Sequence, residues 1–221
     1  MSNTDVETCQ ENPLALESIV YRFLALAFHK PGDELIDLIK DADYRRAIRI
    51  AVEKTLPQGI TTDFESIYHD LFPGAGAQPP TKIDLEIEYN RLFVGPSAPP
   101  CPPYESVYDE SRPFEQYGTI LGPSTEWMES ALEEEGLSID VGYKEYADHI
   151  AIELEYMVYL LGQALLPERL SMEVAREKAQ KLKTLRLSNW AVKFGECVAQ
   201  SARLSFYRGA GNLLASFIQA G

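Results

Sequence analysis

Apolar residues recur at helical spacing through almost the whole of this chain, and glycine or proline interrupts the pattern at short intervals. Residues 14–29 are the clearest case, because Asn12-Pro13 precedes them and Pro31-Gly32 follows them. An asparagine cap, a first-turn proline and a proline beyond the last turn are typical helix boundaries. The apolar stripe between them consists of Leu16, Ile19, Val20, Phe23, Leu24 and Ala27. This spacing predicts a helix that packs by one broad face.

The same spacing predicts helices on both sides of a central irregular region. We expect them at 33–41, 43–56, 61–70 and 82–93, and again at 124–135, 144–165, 168–184, 188–201 and 204–219. No segment alternates apolar and polar residues over a useful strand length. The predicted fold class is therefore all-α, a bundle of about ten helices in two groups. A long proline-rich central loop and hinge joins the groups.

The length of 221 residues allows one large domain or two small ones. We divide the chain into an N-terminal helical part, 1–110, and a C-terminal helical part, 111–221, with one interlocked domain as the alternative. A monomer and a domain-swapped dimer both remain open, because helices can be exchanged across a long central loop.

The charge of the chain restricts its partners. Acidic residues outnumber basic ones by 34 to 20, which gives a net charge of −14. Nucleic acids and anionic membranes both require a basic face, so neither is predicted as a partner. Residues 1–166 carry a balance of −19 and residues 167–221 a balance of +5. This is either ordinary surface charge or an acidic docking face for a positively charged peptide or protein.

The N-terminus and the cysteines indicate a cytoplasmic protein. The first seven residues include Asp5 and Glu7 and have no apolar core, so they do not form a secretory signal. The most apolar helix candidate, 146–166, is interrupted by four charged or ionisable residues, which excludes it as a membrane span. Cys9, Cys101 and Cys197 are far apart and odd in number, so neither a disulfide framework nor a zinc site is predicted.

A single run from Glu88 to Tyr108 carries the strongest functional signal. The predicted helix 82–93 ends at Gly95-Pro96, and the prolines up to Pro103 predict a stiff, extended segment. This segment leads to Tyr104, Glu105, Ser106 and Tyr108, whose carboxylate, phenols and hydroxyl suit a guanidinium or a peptide backbone. A proline-rich ligand of an SH3-like module is the competing interpretation, but such ligands seldom lie in the middle of a folded chain.

A second cluster contains Asp148, His149 and Glu153 on the predicted helix 144–165. One interpretation is structural: Asp148 caps the helix, and His149 pairs with Glu153 four residues later. The other is an acidic pocket for a cation, with a histidine that responds to pH. An enzyme acting at this cluster is a third and weaker interpretation.

Recognised enzyme signatures are absent from the sequence. The residues three before the three histidines are Leu26, Ser66 and Tyr146, so no Glu-x-x-His pair of a di-iron bundle exists. Neither a phosphate-binding loop, a dinucleotide-binding glycine motif nor a nucleophile elbow is present. We therefore predict no catalytic residue, no metal ligand and no cofactor.

The two clusters together resemble the TorD/DmsD/NarJ family of molybdoenzyme maturation chaperones. The matching residues are Glu88-x-x-x-Leu92-Phe93-x-Gly95-Pro96, Pro103-Tyr104-Glu105-Ser106-Val107-Tyr108 and Asp148-His149-Ile150-x-x-Glu153-Leu154-Glu155-x-Met157. Weaker similarity comes from Tyr21 to Pro31 and from Leu187-Ser-Asn-Trp190-Ala-Val-Lys-Phe194. The resemblance covers most of the chain.

This resemblance implies a non-enzymatic, all-helical chaperone in the cytoplasm. It implies binding to the catalytic subunit of a molybdopterin-dependent oxidoreductase of the DMSO reductase class, often through a twin-arginine signal peptide, until the cofactor is inserted. The residues carried over as the client-binding site are Glu88, Phe93, Gly95, Pro96, Tyr104, Glu105, Ser106, Tyr108, Asp148, His149 and Glu153. The alternative function is a generic helical scaffold with no role in cofactor loading.

Overall fold

The computed structural model describes residues 12–56, 61–74, 78–96, 98–113 and 118–220, without the side chains of 61–63. Within these ranges there are ten helices of eight residues or more and no strand, which confirms the all-α prediction. The helices are α1 (Pro13–Phe28), α2 (Asp33–Lys40), α3 (Ala42–Thr55), α4 (Thr61–Leu71), α5 (Lys82–Tyr89), α6 (Glu105–Tyr108, a single turn), α7 (Pro123–Glu134), α8 (Ile150–Ala164), α9 (Arg169–Leu182), α10 (Ser188–Ser201) and α11 (Ser205–Gln219).

Several helix starts follow from local chemistry. The side chain of Asn12 accepts a hydrogen bond from the backbone N–H of Leu14, and Pro13 fills the first turn of α1 as predicted. Thr81 and Asp84 form a reciprocal capping box at the start of α5. None of the helices in the described parts of the chain is long and apolar enough to cross a membrane.

One hydrophobic core holds the bundle together, and aromatic rings from distant segments meet in it. The ring centroids of Phe28 and Phe93 are 6.1 Å apart, those of Phe28 and Phe194 5.2 Å, and those of Phe93 and Phe194 5.8 Å. Residues of both predicted parts, 1–110 and 111–221, contribute to this core. The position of the division between them stays a prediction.

Two helices continue beyond their α-helical part as π-helical turns. α5 continues through a π-helical turn, Asn90–Val94, and a second π turn, Lys183–Leu187, joins α9 directly to α10. The first π turn ends at Gly95, which has the positive φ of 56° that favours glycine and donates its N–H to Asn90 O. The predicted break between 184 and 188 is therefore a π turn inside one long helical path.

The prediction of a helix from residue 144 is wrong, because α8 starts only at Ile150. The backbone just before it pairs with the chain around Tyr104 instead of forming helical hydrogen bonds. The prediction that no disulfide is indicated is also wrong, since Cys101 and Cys197 are bonded, with their Cα atoms 5.9 Å apart. Spacing along the chain carries no information on a contact across 96 residues. Cys9 lies outside the described residues.

The crossing of α10 and α11 depends on two glycines. A Cβ atom on Gly211 would lie 2.5 Å from the carbonyl oxygen of Gly195, and a Cβ on Gly195 would lie 2.7 Å from that of Gly211. The two backbones are thus in direct contact, and no side chain fits between them.

We therefore expect Gly211→Ala to lower the free energy of unfolding by at least about 2 kcal/mol, because backbone atoms cannot move aside cheaply. Gly162→Ala in α8 is the matched control, since that position is exposed and open. The control should raise the unfolding free energy by up to about 1 kcal/mol through helix propensity. Denaturant titration followed by circular dichroism measures both. Equal effects of the two substitutions would contradict this account of the crossing.

Candidate functional site

The two clusters singled out in the sequence meet through their backbones. Tyr104 and His149 form an isolated antiparallel bridge. The N–H of Glu105 donates to Asp148 O at 3.0 Å, and the N–H of Ile150 donates to Pro103 O at 2.9 Å. Segments more than forty residues apart are therefore fixed in register at the centre of the candidate site.

Asp148 is fully buried and holds three segments together. Its Oδ2 accepts from the backbone N–H of Ser106 at 2.9 Å, in the first turn of α6. Its Oδ1 accepts from the hydroxyl of Thr125 at 2.9 Å, in the first turn of α7. Both oxygens are occupied by donors of this chain, so the carboxylate has a structural task.

His149, rather than Asp148, caps α8. Its Nδ1 accepts from the N–H of Ala151 at 3.1 Å and lies 3.3 Å from the hydroxyl of Tyr143. Burial, with a smaller contribution from His29, lowers the pKa of His149 to about 3. The ring is neutral at physiological pH, which overturns the expectation that His149 responds to pH. Within the described residues it makes no side-chain pair with Glu153, since Nδ1 is taken by the cap and Nε2 has no partner.

A pair of buried carboxyl groups adjoins Asp148. Burial raises the pKa of Glu105 to about 7, against the opposing effect of Arg186, whose Nη2 donates to Glu105 Oε2 at 2.6 Å. Burial and then the nearby Glu105 raise the pKa of Glu153 well above its ordinary value. Glu153 Oε2 accepts from the indole N–H of Trp190 at 3.2 Å, while Oε1 has no donor among the described residues. At neutral pH this pair retains a proton.

Two concavities lie on either side of α6. The first, which we call the proline-loop groove, has a volume of about 340 Å³ and is lined mainly by apolar and aromatic side chains and prolines: Tyr89, Phe93, Val94, Ala98, Pro99, Pro102, Pro103, Tyr104, Val107, Ile120 and His149, with Gly118 and Glu145. Tyr104 also hydrogen-bonds Glu145 across it. This groove can accept an apolar segment.

The second concavity, which we call the polar cleft, has a volume of about 670 Å³. Its walls carry three acidic and three basic side chains with aromatic and small residues between them: Glu105, Asp109, Glu110, Arg112, Arg186, Lys193, Tyr108, Trp190, Ser111, Asn189, Pro113, Pro123 and Leu185. Lys193 pairs with Glu110 at 2.5 Å, and Arg112 donates to the carbonyls of Ser106 and Thr119. The charged side chains of this cleft can therefore form ion pairs with groups of a binding partner.

The sequence-predicted site residues other than Glu88 fall into four groups. Phe93, Tyr104 and His149 line the groove, whereas Glu105 and Tyr108 line the cleft. Three others, Ser106, Asp148 and Glu153, are buried between the two concavities. Gly95 and Pro96 form the end of the π turn next to Val94.

Glu88 lies apart from the others. Its carboxylate takes two hydrogen bonds from Arg91, at 2.7 and 2.8 Å, and further ones from the backbone N–H groups of Arg203 and Leu204. Arg91 in turn donates to Ser201 O. The ion pair between Glu88 and Arg91 thus fixes α5 to the α10–α11 turn.

Several residues of the site were missed by the sequence analysis. Arg186 and Trp127 are the main ones: the guanidinium carbon of Arg186 lies 4.8 Å from the centroid of the Trp127 ring. Thr125 and Glu145 were also missed, although both contact residues of the predicted motifs. Only Trp190 carried a signal, through its place in the family-like segment 187–194.

Comparisons with known proteins show the family to which the chain belongs. The sequence model of the nitrate reductase delta subunit family matches residues 53–196. The chain belongs to this family, and the resemblance to TorD and NarJ proteins is confirmed.

Similar proteins include two named chaperone protein TorD. The one from Vibrio parahaemolyticus is 27% identical over 137 residues, which cover 62% of this chain and 61% of that protein. The one from Photobacterium profundum is 27% identical over 145 residues, covering 62% of each. The match thus spans less than two thirds of the length of these relatives.

A solved structure shares the fold. It is that of a candidate redox enzyme maturation protein from Archaeoglobus fulgidus, with a TM-score of 0.51 and 20% sequence identity over 91% of this chain and 93% of that one.

The buried carboxyl pair predicts a pH dependence of stability. Because the folded chain keeps protons that the unfolded chain releases, the pair contributes less stability as pH rises from about 4.5 through about 7. Glu153→Gln keeps an acceptor for Trp190 but cannot ionise. We expect the unfolding free energy of this variant, relative to the unsubstituted protein, to increase by at least about 1 kcal/mol between about pH 5 and pH 8.

Denaturant titrations across this pH range measure the effect. Glu129→Gln, at an exposed carboxyl on α7, is the control and should leave the pH profile unchanged. Parallel profiles for Glu153→Gln and the unsubstituted protein would show that the buried pair does not hold the extra proton.

Proposed function

We propose that this protein is a cytoplasmic, client-specific chaperone for the catalytic subunit of a molybdopterin-dependent oxidoreductase. It binds the N-terminal region of that subunit, where a twin-arginine signal lies, and keeps the subunit from assembly or export until its cofactor is inserted. The chaperone itself performs no catalysis and needs no cofactor. The bridge between Tyr104 and His149 is the observation that carries the proposal, because it sets an apolar groove and a carboxylate-bearing cleft side by side.

The family and its relatives support this role. The chain belongs to the nitrate reductase delta subunit family, and similar proteins carry the name chaperone protein TorD. Five of the residues carried over from the resemblance line the groove or the cleft, namely Phe93, Tyr104, Glu105, Tyr108 and His149.

The chemistry of the two concavities suits a signal segment. Twin-arginine signals combine a pair of guanidinium groups with an adjoining apolar stretch. The proline-loop groove offers Phe93, Val94 and Tyr104 to apolar side chains, with the prolines as a preformed wall. The polar cleft offers the carboxylate of Glu105 and the indole ring of Trp190 to a guanidinium, and the Trp127 ring lies next to Arg186 in its wall.

A generic helical scaffold is the rival function, and the metal content of the client separates the two. The client subunit is purified from a strain that lacks this protein and assayed for molybdenum. An empty client supports the chaperone. A fully loaded client would contradict it and favour the scaffold.

The apolar groove gives a direct test of the client-binding surface. Val94 is 53% exposed and lines the groove. We expect Val94→Asp to weaken binding of the client subunit at least tenfold, because the apolar segment would then have to desolvate a carboxylate. The measurement is the amount of molybdopterin-binding subunit that copurifies with the tagged protein, followed by titration with a synthetic signal peptide.

Leu170→Asp is the matched control. Leu170 is 78% exposed on α9 and lines neither the groove nor the cleft. It introduces the same charge on an exposed helical position, so it tests whether added negative charge alone changes binding. Equal binding by the Val94 and Leu170 variants would remove the groove from the client surface.

A further inference from the structure

Arg186 sits in a setting that suits a guanidinium ligand. Its Nη2 donates to Glu105 Oε2 at 2.6 Å, and its guanidinium carbon lies 4.8 Å from the centre of the Trp127 ring. A carboxylate at the edge of a guanidinium and an aromatic ring on its face are the two groups that bind arginine most selectively. The same two groups would receive an arginine from a partner.

Glu105 and Trp127 form the site that we call the seat. Arg186 uses only part of its hydrogen-bonding capacity there. Its Nε is buried without an acceptor, and its contact with Glu105 is a single hydrogen bond among the described residues. The Nε donor of Arg186 is therefore unpaired, and an unpaired buried group carries a free-energy cost.

Other arginines in this fold are bound more completely. Arg91 donates through Nε and Nη2 to both oxygens of Glu88 and also to Ser201 O. Arg208 donates through Nε and Nη2 to both oxygens of Asp70. These two ion pairs fix helices to one another, whereas the Arg186 pair leaves hydrogen-bonding capacity unused.

The seat is also accessible without unfolding. Glu105 and Arg186 both line the polar cleft, whose volume of about 670 Å³ has room for an incoming side chain. Arg186 lies in the π turn Lys183–Leu187, and its side chain is 19% exposed at the edge of the cleft.

We propose that Arg186 is an internal stand-in for a partner's arginine, which occupies the Glu105–Trp127 seat in the free protein and is displaced when the partner binds. Binding is then an exchange of one guanidinium for another. The exchange lowers the affinity for arginine-bearing segments and keeps Glu105 from being left unpaired in the free protein. This inference rests on the proposed function, because it assigns a competitor to the same surface.

The experiment uses a synthetic peptide with two adjacent arginines followed by an apolar stretch, titrated by calorimetry against the full chain. Arg186→Met removes the competing guanidinium at similar side-chain length. We expect it to bind the peptide at least fivefold more tightly than the unsubstituted protein. Lys40→Met changes the net charge by the same amount at an exposed position of α2 that lines neither the groove nor the cleft, so it controls for nonspecific attraction and should bind like the unsubstituted protein.

A peptide with two lysines in place of the arginines tests the chemistry of the seat, because an ammonium cannot stack and pair as a guanidinium does. The gain on Arg186→Met should be smaller for this peptide. Displacement of Arg186 has a second readout in tryptophan fluorescence, since the chain has only two tryptophans, Trp127 and Trp190, and both lie at the seat.

The outcomes separate the exchange from the proposed function. Binding to the unsubstituted protein with no gain on Arg186→Met would overturn the exchange and leave the chaperone proposal standing. No binding to either protein would overturn the exchange and count against recognition of an arginine pair. Arg186→Lys, which keeps the charge and the fold but loses the planar fork, should give an intermediate gain. If circular dichroism shows that the methionine variant is unfolded, the lysine variant decides the question.

Discussion

The geometry of the candidate site depends on the carboxylate of Asp148 and the backbone on either side of it. One oxygen holds the first turn of α6 through Ser106, the other holds α7 through Thr125, and the backbone carbonyl receives the N–H of Glu105. Each bond is buried, so water cannot replace a lost partner and the cost of removing one is high. Because α6 separates the groove from the cleft, Asp148 fixes the shape of both without lining either. Its position in the family-like motif is thus explained by the structural hydrogen bonds that it accepts.

Glu105 and Glu153 differ from Asp148 in their effect on the stability of the fold. Burial raises the pKa of both Glu105 and Glu153, so this pair weakens the fold as it ionises. A pair of apolar side chains could fill such space at lower cost. The two acids have a use under the proposed exchange, in which they bind a partner's cation reversibly. Arg186 then occupies the site in the free protein. Asp148 accepts hydrogen bonds on both oxygens, whereas Glu153 Oε1 has no partner among the described residues.

The sequence analysis predicted the features that neighbouring residues determine. It missed the features that depend on contacts between distant segments. The limits of α1 follow from Asn12, Pro13 and the apolar stripe, and the structure agrees with them. The start of α8 was misjudged because residues 144–149 have a helical composition but their backbone pairs with a segment forty residues earlier. The resemblance grouped Tyr104 and His149, whose backbones the structure joins, but it also included Glu88, which lies apart at the α10–α11 turn. The bond between Cys101 and Cys197 had no local signal at all.

The π turn Lys183–Leu187 explains why Arg186 could not be found from periodicity. Leu182 and Leu187 are both fully buried, five residues apart, whereas Leu185 between them is 62% exposed. An α-helix would repeat a buried position after three or four residues, and would therefore turn Leu185 or Arg186 toward the core. The wider π turn inserts about one extra residue, so the buried face resumes at Leu187 and Arg186 comes to the edge of the cleft. The first π turn has the same effect at the groove, where Phe93 enters the core and Val94 faces outward. In each concavity a π turn thus places one exposed residue in the wall, Leu185 in the cleft and Val94 in the groove. The two irregular helical turns therefore lie at the surface proposed to bind the client.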